Sequence, residues 1–117
     1  MAIKPASAKA KGRRLQQYVR DKILETFPDL TSDDVVSTAM GQSGEDVKLA
    51  SAARKKFPYS VECKSQKKIA VYAFMEQAER NCPDGAVPLV FIKADRRPPL
   101  ALIDAEQFFN LIKRVHK

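Results

Sequence analysis

The chain reads as a single α/β domain. Apolar residues recur at helical spacing near both ends and in the middle, short β-branched runs lie between these stretches, and Gly, Pro and Asp punctuate the joins. The order that results is helix, three strands, helix, two strands, helix. It contains no internal repeat, low-complexity tract or linker, and 117 residues are one domain's worth of chain.

Residues 1–7 read as a flexible tail. A helix is expected from Lys11, or slightly earlier, to Phe27, because Leu15, Val19 (with Tyr18), Ile23 and Phe27 follow one another at spacings of three and four. Its approach and first turns carry Lys4, Lys9, Lys11, Arg13, Arg14, Arg20 and Lys22, a set that suits a solvated face and a phosphate-contacting face equally well. Pro28 ends this helix by pushing the residue before it out of helical geometry. Thr31–Asp34 reads as a turn, Val35–Met40 as a short strand and Gly41–Gly44 as a tight loop. Asp46–Leu49 is the second strand, Ser51–Lys56 a brief helical turn, and Tyr59–Ser65 the third strand, with Tyr59, Val61 and Cys63 facing inward. Ile69–Asn81 is expected to be helical, with Ile69, Tyr72, Met75 and Ala78 along one face. Pro83-Asp84-Gly85 marks a turn. Val87–Lys93 and Leu100–Ile103 are apolar strands joined by a connection carrying Arg96 and Arg97. Asp104 caps a last helix with Phe108, Leu111, Ile112 and Val115 on its apolar side.

Charge narrows the function. Lys and Arg total 21 against 14 Asp and Glu, for a net charge of +7 and a pI near 9.6. An excess of that size on so small a body points to a polyanion, most simply nucleic acid; the alternative is charge that only aids solubility. No run approaches the ~18 apolar residues of a membrane span, and the N-terminus lacks the apolar core of a secretory signal, so a soluble, cytoplasmic protein is expected. Cys63 and Cys82 read as reduced thiols. His116 is the only histidine, which leaves zinc without a credible ligand set.

Gly44-Glu45-Asp46 and Val61-Glu62-Cys63-Lys64 carry the chemistry. Strand side chains alternate faces, so Glu62 and Lys64 point one way and Val61 and Cys63 the other. Fifteen residues separate Asp46 from Glu62, enough for the chain to return beside its starting strand. Two carboxylates and an ammonium then converge on one patch. Carboxylates forced together repel, and Mg²⁺ resolves the repulsion because it favours oxygen ligands, keeps several waters and bridges to a substrate phosphate. The backbone carbonyl of Cys63 offers a further oxygen. Lys64 would orient or deprotonate the attacking water, or neutralise charge building on the phosphate. The competing reading is a surface salt bridge of Glu62 with Lys64 or with a cross-strand neighbour, worth ~0–1 kcal/mol.

Over roughly residues 11–103, these motifs and this element order resemble the PD-(D/E)XK nuclease superfamily. In that superfamily an Asp opens the second strand and Glu-x-Lys lies in the third; Asp46, Glu62 and Lys64 fall on those positions one by one. The small size and the Lys11-Gly12-Arg13-Arg14 helix start look like archaeal-type Holliday junction resolvases and small phage endonucleases. The resemblance implies a restriction-endonuclease-like core, a mixed central sheet flanked by helices. It further implies a Mg²⁺-dependent DNA endonuclease, with Mn²⁺ able to substitute, in which Asp46, Glu62 and Lys64 are catalytic, and a branched-DNA substrate. Asp46, Glu62 and the carbonyl of Cys63 would hold the metal. If phage-encoded, it would act inside the host cell. Cutting two symmetry-related strands calls for a homodimer. Two positions depart from the pattern: Glu45 replaces the proline before the Asp, and Gln16 and Gln17 stand where many resolvase-like members carry a helix glutamate. Glu25 lies about nine residues further on, ~13 Å along a helix.

Weaker signals surround this set. Gln66 shares the face of Lys64, and Gln77 lies with Glu76 and Glu79 on the following helix; all four also suit plain solvated positions. Gly44 would either let a DNA backbone approach or serve as a turn residue. Arg13, Arg14, Arg54, Lys55, Lys56, Lys67 and Lys68 are candidate phosphate contacts. Tyr72, Phe74 and Phe108 read as core rather than base-stacking residues. A non-catalytic DNA-binding module that keeps the nuclease fold, and an RNA- or protein-interaction domain, are the alternatives.

Overall fold

The computed structural model describes residues 7–39 and 43–116. Its elements run α1 (Ala8–Thr26), β1 (Val35–Ser37), β2 (Val47–Leu49), α2 (Ser51–Lys56), β3 (Tyr59–Ser65), α3 (Val71–Asn81), β4 (Val87–Lys93), β5 (Leu100–Leu102) and α4 (Ala105–Val115). The five strands form one sheet in the order β1-β2-β3-β4-β5. The sheet is mixed: β3 and β4 are parallel, and every other neighbouring pair is antiparallel. The parallel step follows from the connection, because α3 returns the chain to the edge it left.

Helix α1 starts where Ser7 caps it, the side chain accepting from the Ala10 amide at 3.1 Å. Ser7 therefore belongs to the helix and not to a tail; the first strand stops at Ser37, short of the expected run to Met40, and the rest of the expected tail, Met40 and part of the following loop lie outside the described residues. Leu15, Val19 and Ile23 of α1 pack on Val35, Val47, Val61 and Cys63, which gives one face of the sheet its core. On the other face Phe74 and Ala78 of α3 meet Val90, with Ile69, Met75, Ile92 and Leu102 around them. Strand β3 is thus covered on both sides, and Tyr59–Cys63 is buried without alternation.

Three expectations need correcting. The buried stripe of α3 runs through Phe74 and Ala78, whereas Tyr72 is 83% exposed. Ile69 precedes the helix and packs from the connection, so it does not set the helix phase. Phe108 is not core either. Helix α4 is capped by Asp104, which accepts from the Gln107 amide at 3.2 Å, yet it buries none of its residues. It follows the edge strand β5, and no described element covers its outer side.

Leu15 is 2% exposed at the centre of the first core. Truncation to alanine deletes buried carbon and leaves a cavity, so Leu15→Ala is expected to lose about 3 kcal/mol in urea-induced unfolding.

Candidate active site

The site forms where β2 stops and β3 continues. β2 has three residues and β3 seven, so beyond Val61 the outer edge of β3 has no strand beside it. Val87 N–H donates to Pro58 O, and Gln66 N–H donates to Lys93 O. Even-numbered residues of this stretch therefore bond to β4, and odd-numbered ones turn their N–H and C=O toward β2. Cys63 is odd, and its main-chain groups face the gap.

Asp46 fills that gap. Its N–H donates to Val61 O at 3.0 Å while Val47 is the registered partner of Val61, so two residues of one strand oppose one of the other. That is a β-bulge, a device that re-aims a side chain. The re-aimed carboxylate accepts from the Cys63 N–H at 2.6 Å. Asp46 is thereby bonded to the peptide that joins Glu62 to Cys63. Gly44, two residues upstream, has φ +92° with open space around it; the turn itself requires glycine there.

Glu62 points to the α3 side and is 3% exposed. Asn81 Nδ2 donates to its Oε2 at 3.4 Å, and Lys64 Nζ lies 3.7 Å from its Oε1. The Lys64 ammonium also stands 5.7 Å from the Phe74 ring centre, which limits where it swings. Burial pushes the Asp46 carboxyl above the ordinary range; its bond from Cys63 and the Lys64 charge act the other way. Burial likewise raises Glu62, and the charge of Asp46 adds to the rise. The structure brings Asp46, Glu62 and Lys64 into one electrostatic group.

Whether this group suits a divalent ion turns on its donors. Among the described residues no cluster of three or more His, Cys, Asp and Glu side chains could hold a metal. What stands here is two carboxylates raised by burial, Glu62 further by Asp46, and a main-chain carbonyl, that of Cys63, turned toward the gap that Asp46 fills. Such an all-oxygen set with few protein ligands fits an ion that keeps much of its water, as Mg²⁺ does. The Cys63 thiol is no candidate ligand: it is buried in the first core, and burial together with the two carboxylates pushes its pKa far up.

Other expected residues are placed as follows. Arg13, Arg14, Lys55, Lys67 and Lys68 are exposed. Arg14 lines a cavity of about 290 Å³ with Lys11, Ser65 and Lys93 beside the far end of β3, where Lys11 is bridged to Asp95 at 2.9 Å. Gln66 is exposed, and Gln77 is half-buried without a hydrogen bond to the acidic pair. Arg54 is not a surface cation. It donates to Glu45 Oε1 at 2.5 Å and to Tyr59 O at 2.8 Å, tying α2 to β3 and to the residue before Asp46. Gln16 is buried and accepts from Ser37 Oγ at 2.9 Å, on the strand beside β2.

Two residues of the site escaped the sequence reading. Asn81 follows Phe74 and Ala78 at seven and three residues, so a polar side chain on the buried stripe was the available signal. Glu45 had no local signal, since its importance lies in a partner nine residues away. Comparison with protein-family models, curated proteins and solved structures finds no match for this chain.

Two outcomes follow for stability. A carboxyl whose folded pKa exceeds its unfolded value contributes stability that is fully present below the unfolded pKa and lost as pH rises through the folded one. With EDTA present, Glu62→Gln is therefore expected to melt above the parent at about pH 8, the advantage vanishing toward about pH 4 as the parent's carboxyl protonates. Thermal scans followed by circular dichroism across that range provide the check. Arg54→Ala strands a buried carboxylate, so urea unfolding should show a loss of about 3 kcal/mol, against ~0.5 kcal/mol or less for its exposed neighbour Lys55→Ala.

Proposed function

We propose that the protein is a Mg²⁺-dependent endonuclease that hydrolyses phosphodiester bonds in DNA. The observation that carries this reading is the convergence of Asp46, Glu62 and Lys64 at the open edge of β3, with both carboxyls raised by burial and Glu62 further by its neighbour. A purely structural salt bridge has no use for a second buried carboxylate against one ammonium.

Asp46, Glu62 and the Cys63 carbonyl would hold the ion. Bound there, Mg²⁺ supplies Lewis acidity toward a phosphoryl oxygen and an acidified water. The chain's own residues do the rest. The Cys63 amide fixes one oxygen of Asp46, and the other would be the one offered to the ion. Asn81 and Lys64 grip opposite oxygens of Glu62 and hold its carboxylate still. Lys64, steadied by Phe74, places positive charge where negative charge builds on the phosphate or orients the attacking water. The exposed cations Arg13, Arg14, Lys55, Lys67 and Lys68 hold flanking phosphates without reading sequence. Like the junction resolvases it resembles, the protein is assigned a branched-DNA substrate, whose two opposed strands need two active sites, hence a homodimer. Mn²⁺ serves in place of Mg²⁺, the donor set being all oxygen.

Plasmid, linear, single-stranded and four-way-junction DNA, incubated with Mg²⁺ or with EDTA, test the proposal. Cleavage is expected only with the metal and fastest on the junction. Asp46→Asn, Glu62→Gln and Lys64→Ala should each slow it ~10²-fold or more while retaining DNA binding. Binding without cleavage under every metal condition would replace the enzyme with a DNA-binding module.

A further inference from the structure

Helix α4 is strongly two-faced, yet none of its residues is buried. Phe109 and Val115 are 61% and 63% exposed, and Phe108 and Ile112 are partly so. Its inner flank, through Leu111 and Val115, borders an open groove of about 560 Å³ against Val19, Ile23 and Phe27 of α1. The outer side is left with Ala105, Phe109 and Ile112 in line, at spacings of four and three, and Phe108 edge-on to Phe109 at 5.5 Å. A contiguous apolar stripe of this kind marks a contact surface.

Charge says what covers it. Glu106 and Lys113 are both exposed and stand seven residues apart, two turns of helix, on the same flank of the outer stripe. A second α4 laid antiparallel about a twofold axis sets Glu106 against Lys113 of the other copy, and Lys113 against its Glu106, while Phe109 and Ile112 interlock between them. A parallel arrangement opposes like charges. We infer that the outer face of α4 is a self-complementary interface, and that its partner is a second copy of this chain in antiparallel orientation. This inference rests on α4 alone and stands or falls apart from the chemistry at Asp46 and Glu62.

Sedimentation equilibrium of the full chain without nucleic acid is the test. The parent is expected to dimerise, and Phe109→Asp to be monomeric while keeping the parent's circular dichroism spectrum. Glu106→Lys should weaken the dimer about tenfold or more, and the double reversal Glu106→Lys with Lys113→Glu should restore it. A parent that stays monomeric up to millimolar concentration, a Phe109→Asp variant that still dimerises, or a double reversal no better than the single one would each overturn the interface.

Discussion

The hydrogen bond from the Cys63 amide to the Asp46 carboxylate organises the candidate site. It exists because β3 outruns β2. A main-chain N–H on a strand edge needs an acceptor, and where the neighbouring strand has stopped a side chain must supply it. The bulge at Asp46–Val47 turns a carboxylate into that acceptor. One local fault in the ladder thus satisfies an orphan donor, brings two acids within electrostatic reach and leaves the Cys63 carbonyl facing the same opening. Remove the mismatch in strand length and the geometry of all three is lost together.

The cost of this arrangement falls on the fold. Glu62 lies on the central strand, between elements that would bury a hydrophobic residue there at no penalty, and its carboxyl is raised by burial first and by Asp46 second. Val61 and Val90, close by, are the kind of residue such a position ordinarily takes. An acid there costs stability, which supports the proposed reading that these side chains serve a ligand rather than the core.

Much of this was legible in the chain. Strands β3 and β4 have the expected bounds because dense β-branched and apolar runs leave little choice, and period-two alternation put Glu62 and Lys64 on one face. The bulge was not legible, since it depends on register between strands and not on any residue within one. Arg54 read as a phosphate contact because its charge is visible in sequence and its partner Glu45 is not. Tyr72 was misplaced by a phase error, Ile69 having been counted into a helix that begins later. The apolar side of α4 was read correctly as a pattern, but a pattern does not reveal whether the body of the same chain will cover it.

The two acidic neighbours, Glu45 and Asp46, are partnered differently. Glu45 is matched in charge: Arg54 closes on its Oε1 and bonds onward to Tyr59 O, although Oε2 is buried without a hydrogen-bond partner. Asp46 and Glu62 are served differently. Lys64 is shared between them, at 3.7 Å from Glu62 and acting on Asp46 only through its field, and burial raises both carboxyls despite it. The chain has no shortage of cations, its net charge being +7, and Arg54 shows that a guanidinium can be brought to within a few residues of this spot. Two buried acids set against one ammonium in so basic a protein support the proposed reading, in which the balancing cation comes from outside the chain.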